Sequence, residues 1–274
     1  MSKTLILGAA FVLMLGGAPA IAADMPVKAP PVAVPVNTWT GFYLGADIGA
    51  LDVDARATTT SVTGFGGAGP NALVPFAQPV DFDSIGFRGG VFGGYDWQFA
   101  SSWVAGIEAD WHGEDSKTTQ PGFAIGLPSG PVTTSRGDNR QISEDWDASV
   151  RARLGYLITP SFLLFATGGG SWQHVNISAF CDGTATGGVI GYCANFGLPS
   201  QTITQSTTRG GWTVGAGFEA MLSRHWIARA DYRFSDYGTT TINETIAMPG
   251  FAQVYSYALR LQTHAAEFGL RYRF

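Results

Sequence analysis

The side chains best suited to catalysis are scattered along the chain. The histidines are His112, His174, His225 and His264, each in a different segment. His112 and His174, with Glu114 or Asp115 close by in sequence, could in principle activate a water molecule for hydrolysis. No nucleophile motif accompanies them, and a catalytic site needs a nucleophile, a base and an oriented partner together. The sequence therefore predicts no catalytic residue, no metal site and no cofactor.

Two cysteines, Cys181 and Cys193, are the only ones in the chain. In an exported protein such a pair usually forms a disulfide. Closing a loop of that length would contribute roughly 3 kcal/mol by the chain-entropy estimate. Metal binding by the two thiols is the alternative, but no histidine or third cysteine stands at ligand spacing. We predict a Cys181–Cys193 disulfide.

The N-terminal residues have the pattern of an export signal. Lys3 precedes an apolar run at 5–15, and small residues lead to Ala22. Such a run is too short to cross a bilayer of roughly 30 Å as a helix, so residues 1–22 are interpreted as a secretory signal peptide. Residues 23–38 are rich in proline and are expected to form an extended tether in the periplasm.

Composition narrows the choice of partner and fold. The chain has 274 residues, a formal net charge of -5 and only three lysines, so no basic cluster is available for nucleic acid and no nucleic-acid partner is expected. The 37 glycines and 13% aromatic residues suit tightly packed strands with aromatic rows at a membrane interface. Beyond the signal no apolar run is long enough for a helical membrane span.

Apolar and polar residues alternate with a period of two in segments of about ten residues, the length a tilted strand needs to cross a bilayer. The clearest segment runs from Trp146 to Ile158, where apolar residues alternate with Asp147, Ser149, Arg151 and Arg153. The first seven predicted strands are 40–50, 85–98, 103–112, 146–158, 162–173, 212–222 and 226–234, and the eighth ends at Phe274. The register of the fifth strand, 162–173, stays open.

The connections alternate strictly between short and long. Short connections lie at 99–102, 159–161 and 223–225, and long ones at 51–84, 113–145, 174–211 and 235–263. This pattern predicts an all-β fold, an eight-stranded antiparallel up-and-down transmembrane β-barrel at 39–274 with tight periplasmic turns and four long external loops. The even strand number places both termini in the periplasm. A soluble lipid-carrier barrel is the alternative, but it needs an apolar interior.

The polar row of the strands contains many charges that are predicted to point into the lumen. They are Asp47, Arg88, Asp96, Glu108, Asp110, Asp147, Arg151, Arg153, Glu219, Arg229, Asp231, Arg233, Glu267, Arg271 and Arg273. An eight-stranded barrel is only wide enough for side chains to fill it. We expect carboxylates and guanidinia to pair there and close the lumen. A narrow ion channel is the alternative.

Two terminal motifs resemble a known family. Residues 39–45 read WTGFYLG and residues 267–274 read EFGLRYRF. Over about 39–274 the chain resembles the short outer-membrane barrels similar to the OmpA transmembrane domain and the opacity proteins, including porin-family and immunogenic surface antigens. In that family the terminal aromatic strand is read by the outer-membrane assembly machinery, which implies this role for Phe268, Leu270, Tyr272 and Phe274.

These observations together predict a non-enzymatic protein of the bacterial outer membrane with an envelope-stabilising and surface-interaction role. Its expected partners are outer-membrane lipid and lipopolysaccharide, the assembly machinery, and an extracellular ligand bound through the loops. A weak porin for small solutes is the first alternative function. A lipid A-modifying hydrolase is the second.

Overall fold

The computed structural model describes residues 38–64, 78–122, 137–186, 189–248 and 250–274. The signal peptide and all but the last residue of the tether lie outside these ranges. The elements in chain order are β1 (Gly41–Thr63), β2 (Val80–Asp81), β3 (Ser84–Gln98), β4 (Trp103–Pro121), β5 (Asn139–Thr159), β6 (Phe162–Cys181), β7 (Ala185–Thr186), β8 (Val189–Ile190), α1 (Tyr192–Asn195), β9 (Gln201–Met221), β10 (Trp226–Met248) and β11 (Phe251–Arg273). Within the described residues, no helix has the length and apolar character needed to span a membrane.

Eight long strands form a closed ring. Their order is β1-β3-β4-β5-β6-β9-β10-β11, and β11 pairs with β1 to complete it. Each of these neighbours is antiparallel, and the closing pair runs from Tyr43↔Arg273 to Thr63↔Val254. Closure leaves no free edge where the ring is complete. The predicted eight-stranded up-and-down barrel is confirmed.

An apolar belt covers the outside of the ring between two rows of aromatic side chains. Exposed aromatics near the short turns are Phe42, Trp97, Phe99, Trp103, Tyr156, Trp226 and Phe274, and those at the other side of the belt are Phe87, Trp111, Trp172, Trp212 and Tyr232. Aliphatic residues such as Val150, which is 45% exposed, lie between the two rows. Such a belt is typical of a strand ring that crosses a bilayer.

Most strands are longer than the sequence predicted. The first was expected to end at residue 50 but continues to Thr63, and the seventh was expected to end at residue 234 but continues to Met248. The predicted loops 51–84, 113–145, 174–211 and 235–263 therefore begin or end as strands over much of their described length. We call the part of the ring beyond the second aromatic row the extended end.

Strand β1 shows why the sequence of these strand extensions was interpreted as loops. Leu44 and Ile48 are exposed to lipid, whereas Leu51 and Val53 are buried inside the ring and Asp52 is exposed. The even-numbered residues from Phe42 to Thr60 point outward, so the strand keeps its register where the apolar row changes face; a register shift follows only between Thr59 and Ser61. The surroundings of the outer face change from lipid to water, and the apolar row moves to the inner face. An outer row of polar residues was thus mistaken for a loop.

The extended end has an apolar core of its own. The core residues are Leu51, Val53, Ala55, Ala57, Val62, Phe82, Ile142, Val175, Ile177, Ala179, Cys181, Cys193, Tyr237, Ile242, Ile246, Tyr255, Tyr257, Leu259, Leu261 and Ala265. They come from both halves of the ring and from the segment around α1. Burial of these apolar side chains stabilises the strand extensions by the same hydrophobic effect as in a soluble protein.

Candidate functional site

The inner face of the belt carries many buried charged side chains. Every charged residue that the sequence placed there is buried, and none is more than 8% exposed: Asp47, Arg88, Asp96, Glu108, Asp110, Asp147, Arg151, Arg153, Glu219, Arg229, Asp231, Arg233, Glu267, Arg271 and Arg273. Buried charges of this number require partners at close range.

Two ion pairs join strands that lie opposite each other in the ring. Arg229 Nη1 lies 2.6 Å from Glu108 Oε2, and Arg233 Nη1 lies 3.0 Å from Asp110 Oδ1. The two arginines are on β10 and the two carboxylates on β4, and three strands separate β4 from β10 in either direction. These pairs therefore reach across the lumen.

Nearer the short turns, two arginines share one carboxylate. Arg153 donates to both oxygens of Glu219 at 2.9 and 2.5 Å, and Arg271 Nη2 lies 2.7 Å from the same carboxylate. Arg271 also donates to Asp96 at 2.7 Å. The forked geometry of the Arg153 pair satisfies both carboxylate oxygens and is stronger than a single charged hydrogen bond.

Aromatic rings contact the arginines near the short turns. The Tyr43 hydroxyl donates to Glu108 at 2.9 Å, and the Arg271 guanidinium lies 4.2 Å from the Tyr43 ring centre. The guanidinium of Arg153 lies 4.2 Å from the ring centre of Phe165. Stacking on an aromatic face stabilises a desolvated cation. Phe165 also fixes the open register of the fifth strand, since it points inward whereas Leu164 faces lipid.

His112 lies at the centre of the charge network. Its Nε2 is 2.9 Å from Asp47 Oδ1 and 3.5 Å from Glu267 Oε1. Its Nδ1 is 3.2 Å from Asp147 Oδ1 and 3.4 Å from Asp110 Oδ1. His112 ends the third predicted strand, 103–112, but its part in this network was not predicted because Asp47, Asp147 and Glu267 lie far from it along the chain.

The hydrolytic pairing of His112 with His174 is not formed. His112 is buried in the lumen, whereas His174 faces outward and stacks on Trp146 with the ring centres 5.4 Å apart. The two histidines are thus on opposite faces of the wall. Glu114, the carboxylate considered beside this histidine pair, is inside the ring, and its Oε1 lies 3.4 Å from Arg88 Nη1.

Two ligand sets around His112 are close enough to hold a metal ion, namely Asp47 with Glu267 and Asp110 with Asp147. Arginines already bind three of these four carboxylates, Asp110 through the Arg233 contact given above. Arg88 Nε lies 2.7 Å from Glu267, and Arg233 Nη2 lies 2.5 Å from Asp147. A guanidinium at that distance competes for the same oxygen lone pairs. The geometry is that of a salt-bridge cluster.

The end of the ring with the short turns is capped by Trp39. Its indole N–H donates to the Pro160 carbonyl at 3.1 Å, and its ring is fully buried. It belongs to an apolar cluster with Val104, Leu157, Leu163 and Ile227. The sequence used Trp39 only as part of a terminal motif, and its position beneath the lumen depends on the closed ring.

The extended end contains a second set of buried charges. Arg140 donates to Glu244 and to the Tyr257 hydroxyl. Glu144 is also buried, and burial raises the pKa of its carboxyl from 4.5 to about 7. These groups lie in segments that the sequence interpreted as loops, so none was predicted.

Cys181 and Cys193 form a disulfide with their Cα atoms 5.4 Å apart. Cys181 ends β6 and Cys193 lies in α1, so the bond ties the α1 segment to the wall of the ring. Both cysteines are completely buried in the core of the extended end.

The residues of the terminal aromatic motif point toward lipid. Phe268, Leu270 and Phe274 are 68%, 49% and 73% exposed, and Tyr272 is partly exposed between His225 and Trp226. His264 also faces outward, where its Nδ1 lies 2.5 Å from the Tyr232 hydroxyl. None of these side chains enters the lumen.

A closed antiparallel ring with a lipid-facing belt and an ionised interior defines an integral β-barrel of the bacterial outer membrane. Comparison with known families agrees, since the outer membrane protein beta-barrel domain matches residues 9–274. The chain belongs to this family of outer-membrane β-barrel proteins.

Relatives carry names of the same kind. The chain is 31% identical over 225 residues to the 31 kDa outer-membrane immunogenic protein of Brucella melitensis, covering 80% of this chain and 81% of that protein. It is 30% identical over 218 residues to the 22 kDa outer membrane protein of Rhizobium leguminosarum, covering 79% of this chain and 70% of that protein.

Solved structures similar to this fold are small outer-membrane barrels. OprG of Pseudomonas aeruginosa aligns with a TM-score of 0.43 and 12% identity, covering 87% of this chain and 100% of that one. Neisserial surface protein A aligns with a TM-score of 0.40 and 12% identity, covering 86% and 98%. Neither likeness carries an argument about function.

Proposed function

We propose that this barrel is a non-conducting, non-enzymatic protein that stabilises the outer membrane and presents a surface for interaction outside the cell. The observation that supports it best is the pair of cross-lumen contacts from Arg229 to Glu108 and from Arg233 to Asp110. Since these bonds join opposite walls, they occupy the path that an ion would need. Trp39 closes one end of that path and the apolar core of the extended end closes the other.

The surface role rests on the extended end. Its outer face is polar and its interior is apolar, so it is built to stand in water beyond the bilayer. The name of the Brucella melitensis relative, an outer-membrane immunogenic protein, fits a protein whose external part is accessible. With both termini in the periplasm, the extended end faces the outside. We propose that it contacts lipopolysaccharide around its base and an extracellular ligand at its far end.

Assembly is proposed to depend on the terminal strand. Phe268, Leu270, Tyr272 and Phe274 form an apolar row that turns away from the lumen, so the assembly machinery can read the row before the ring closes. A weak porin is the second candidate function, supported only by the charged character of the lumen.

Planar-bilayer recording distinguishes a non-conducting barrel from a weak porin. Purified, folded barrel should give no stable current steps. A variant in which Glu108, Asp110, Arg229 and Arg233 are all replaced by alanine should conduct, provided that its unboiled gel mobility shows a folded barrel. Val150→Leu, which faces lipid, is the matched control and should remain silent. Stable nanosiemens steps from the unmodified barrel would contradict the proposal.

A further inference from the structure

The ring is not complete along its whole height. β9 and β10 pair from Met221↔Ile227 to Trp212↔Asp236 and then separate. Beyond that point, among the described residues, β9 continues to Gln201 paired with β6 alone, and β10 continues to Met248 paired with β11 alone. We call 201–211 of β9 and 239–248 of β10 the open edges.

A local turn in β10 explains the separation. The register of β10 on β11 shifts between Asp236 and Thr239. Gly238 has a φ of +66°, which favours glycine, and its N–H donates to Asp236 Oδ1 at 2.7 Å. A bulge of this kind bends the strand and redirects it. It starts next to Trp212, at the outer row of the belt.

Among the described residues, the two open edges are joined through a side chain and not through a backbone pair. The Gln205 amide donates to the Asn243 carbonyl at 2.5 Å. Arg209 donates from β9 to the Leu259 carbonyl on β11 at 3.1 Å. The Asn243 bond shows that backbone acceptors of β10 point toward the opening. Strand edges with such groups are templates for pairing with another strand.

The outer faces of the open edges carry no charged residue and no proline. The outward residues are Thr202, Thr204, Ser206 and Thr208 on β9 and Thr239, Thr241, Asn243 and Thr245 on β10. All are neutral, most are β-branched, and no proline or lysine interrupts either edge. Charged or proline-bearing edges are the usual protection against association. Two copies of this surface would meet without charge repulsion.

The membrane fixes the height of these edges. The belt residues Trp212 and Phe234 anchor β9 and β10 at the same depth in every copy. Because β9 and β10 are antiparallel in one chain, β9 of one copy is also antiparallel to β10 of a copy turned by half a circle about the membrane normal. Both pairings then form at once, as in a two-fold symmetric interface.

We propose that the open edges are the contact surface between two copies of this chain in the outer membrane, with β9 of each pairing with β10 of the other. The Gln205–Asn243 bond gives way to backbone bonds between the copies. Arg209 points inward and keeps its place. The interaction adds an association between barrels to the structural role and does not depend on whether the lumen conducts.

Cysteine cross-linking between differently tagged copies tests the pairing. The two native cysteines are joined to each other, so a new cysteine supplies the only free thiol. One copy carries Ser206→Cys, the other Thr241→Cys, and both are reconstituted together in lipid vesicles and mildly oxidised. At least tenfold more mixed-tag dimer is expected than from a control pair with Gln141→Cys and Ser178→Cys, two residues already paired within one chain.

A second variant separates pairing from chance encounter. Thr204→Lys together with Asn243→Lys, added to both tagged copies, places like charges along the open edges and should reduce the mixed-tag dimer about tenfold. The unboiled gel mobility of every variant verifies that the barrel is folded. Folded protein that cross-links no better than the control pair, or that is insensitive to the lysines, would overturn the proposal.

Discussion

His112 and Asp47 are joined inside the barrel by a 2.9 Å contact between imidazole Nε2 and carboxylate Oδ1. Asp147, Asp110 and Glu267 also lie within 3.5 Å of the ring nitrogens. Carboxylates outnumber guanidinia among the buried groups of the belt. An imidazolium, which donates from both nitrogens, suits this surrounding.

Replacing this histidine by a residue without charge should destabilise the barrel. His112→Leu leaves Asp47 and its neighbours without their shared donor, and removal of one partner from a buried ion pair costs about 3 to 5 kcal/mol. Urea unfolding of the protein in lipid vesicles measures the change. His174→Leu, on the outer face, is the control and should lose much less. Equal losses for the two variants would refute the central position of His112.

The facing of β5 is tested at Val150. Val150→Arg places a cation against the lipid tails near the bilayer centre and should lower the free energy of unfolding by about 2 to 4 kcal/mol. Val150→Leu keeps the position apolar and should change stability little. The same urea titration compares them. A tolerated arginine would mean that Val150 does not face lipid.

Glu144 should make the stability of the extended end depend on pH. Burial raises its pKa from 4.5 to about 7, so the folded chain binds more protons than the unfolded chain between these values. Stability therefore falls as pH rises from 4.5 to 7 and is lowest above that window. The Glu144→Gln substitution should therefore raise the free energy of unfolding, relative to the unmodified protein, by on the order of 1 to 3 kcal/mol more at pH 8 than at pH 4.5. This range follows from about 1.4 kcal/mol per pKa unit.

The control for that experiment is Asp145→Asn, at a neighbouring exposed carboxylate. Unfolding is followed by hydrogen exchange of β5 and β6 at both pH values. A Glu144→Gln variant whose difference from the unmodified protein is the same at pH 4.5 and pH 8 would show that the buried carboxyl does not titrate in this window.

Loss of the disulfide should affect only the extended end. Replacing Cys181 and Cys193 by serine restores the entropy of the unfolded loop, which is worth roughly 3 kcal/mol. Protease digestion should then cleave near α1 faster, while the belt keeps its resistance and the unboiled gel mobility is unchanged. Equal digestion before and after the change would argue that the bond contributes nothing to local order.

The belt could be predicted from sequence because apolar and polar residues alternate in most of its strands, and without a break in β5. Arg151 and Arg153 stand between apolar neighbours that need lipid, so their direction follows from the period of a strand alone. The extended end could not be predicted in the same way. There Leu51 and Val53 face inward and Asp52 faces water. This pattern is recognised as a membrane-barrel strand only once it is known that the outer face passes from lipid into water.

Which charged side chains pair with each other inside the lumen was harder still to predict. The sequence gives the direction of Glu108 and Arg229 but not their contact, because these residues are far apart in the chain and meet only when the ring closes. Trp39 lies outside any strand and its burial depends on the same closure. Directions follow from local periodicity, whereas contacts follow from register and ring size.

The most direct measurement is a spin-label scan along β1. Single cysteines at Leu44, Ile48, Asp52 and Asp54 report whether each outward position meets lipid or water, through relaxation by oxygen or by a water-soluble nickel complex. The first two should respond to oxygen and the last two to nickel, with the change between Ile48 and Asp52. Lipid contact that continues through Asp52 and Asp54, or water contact at Leu44, would contradict the barrel described above.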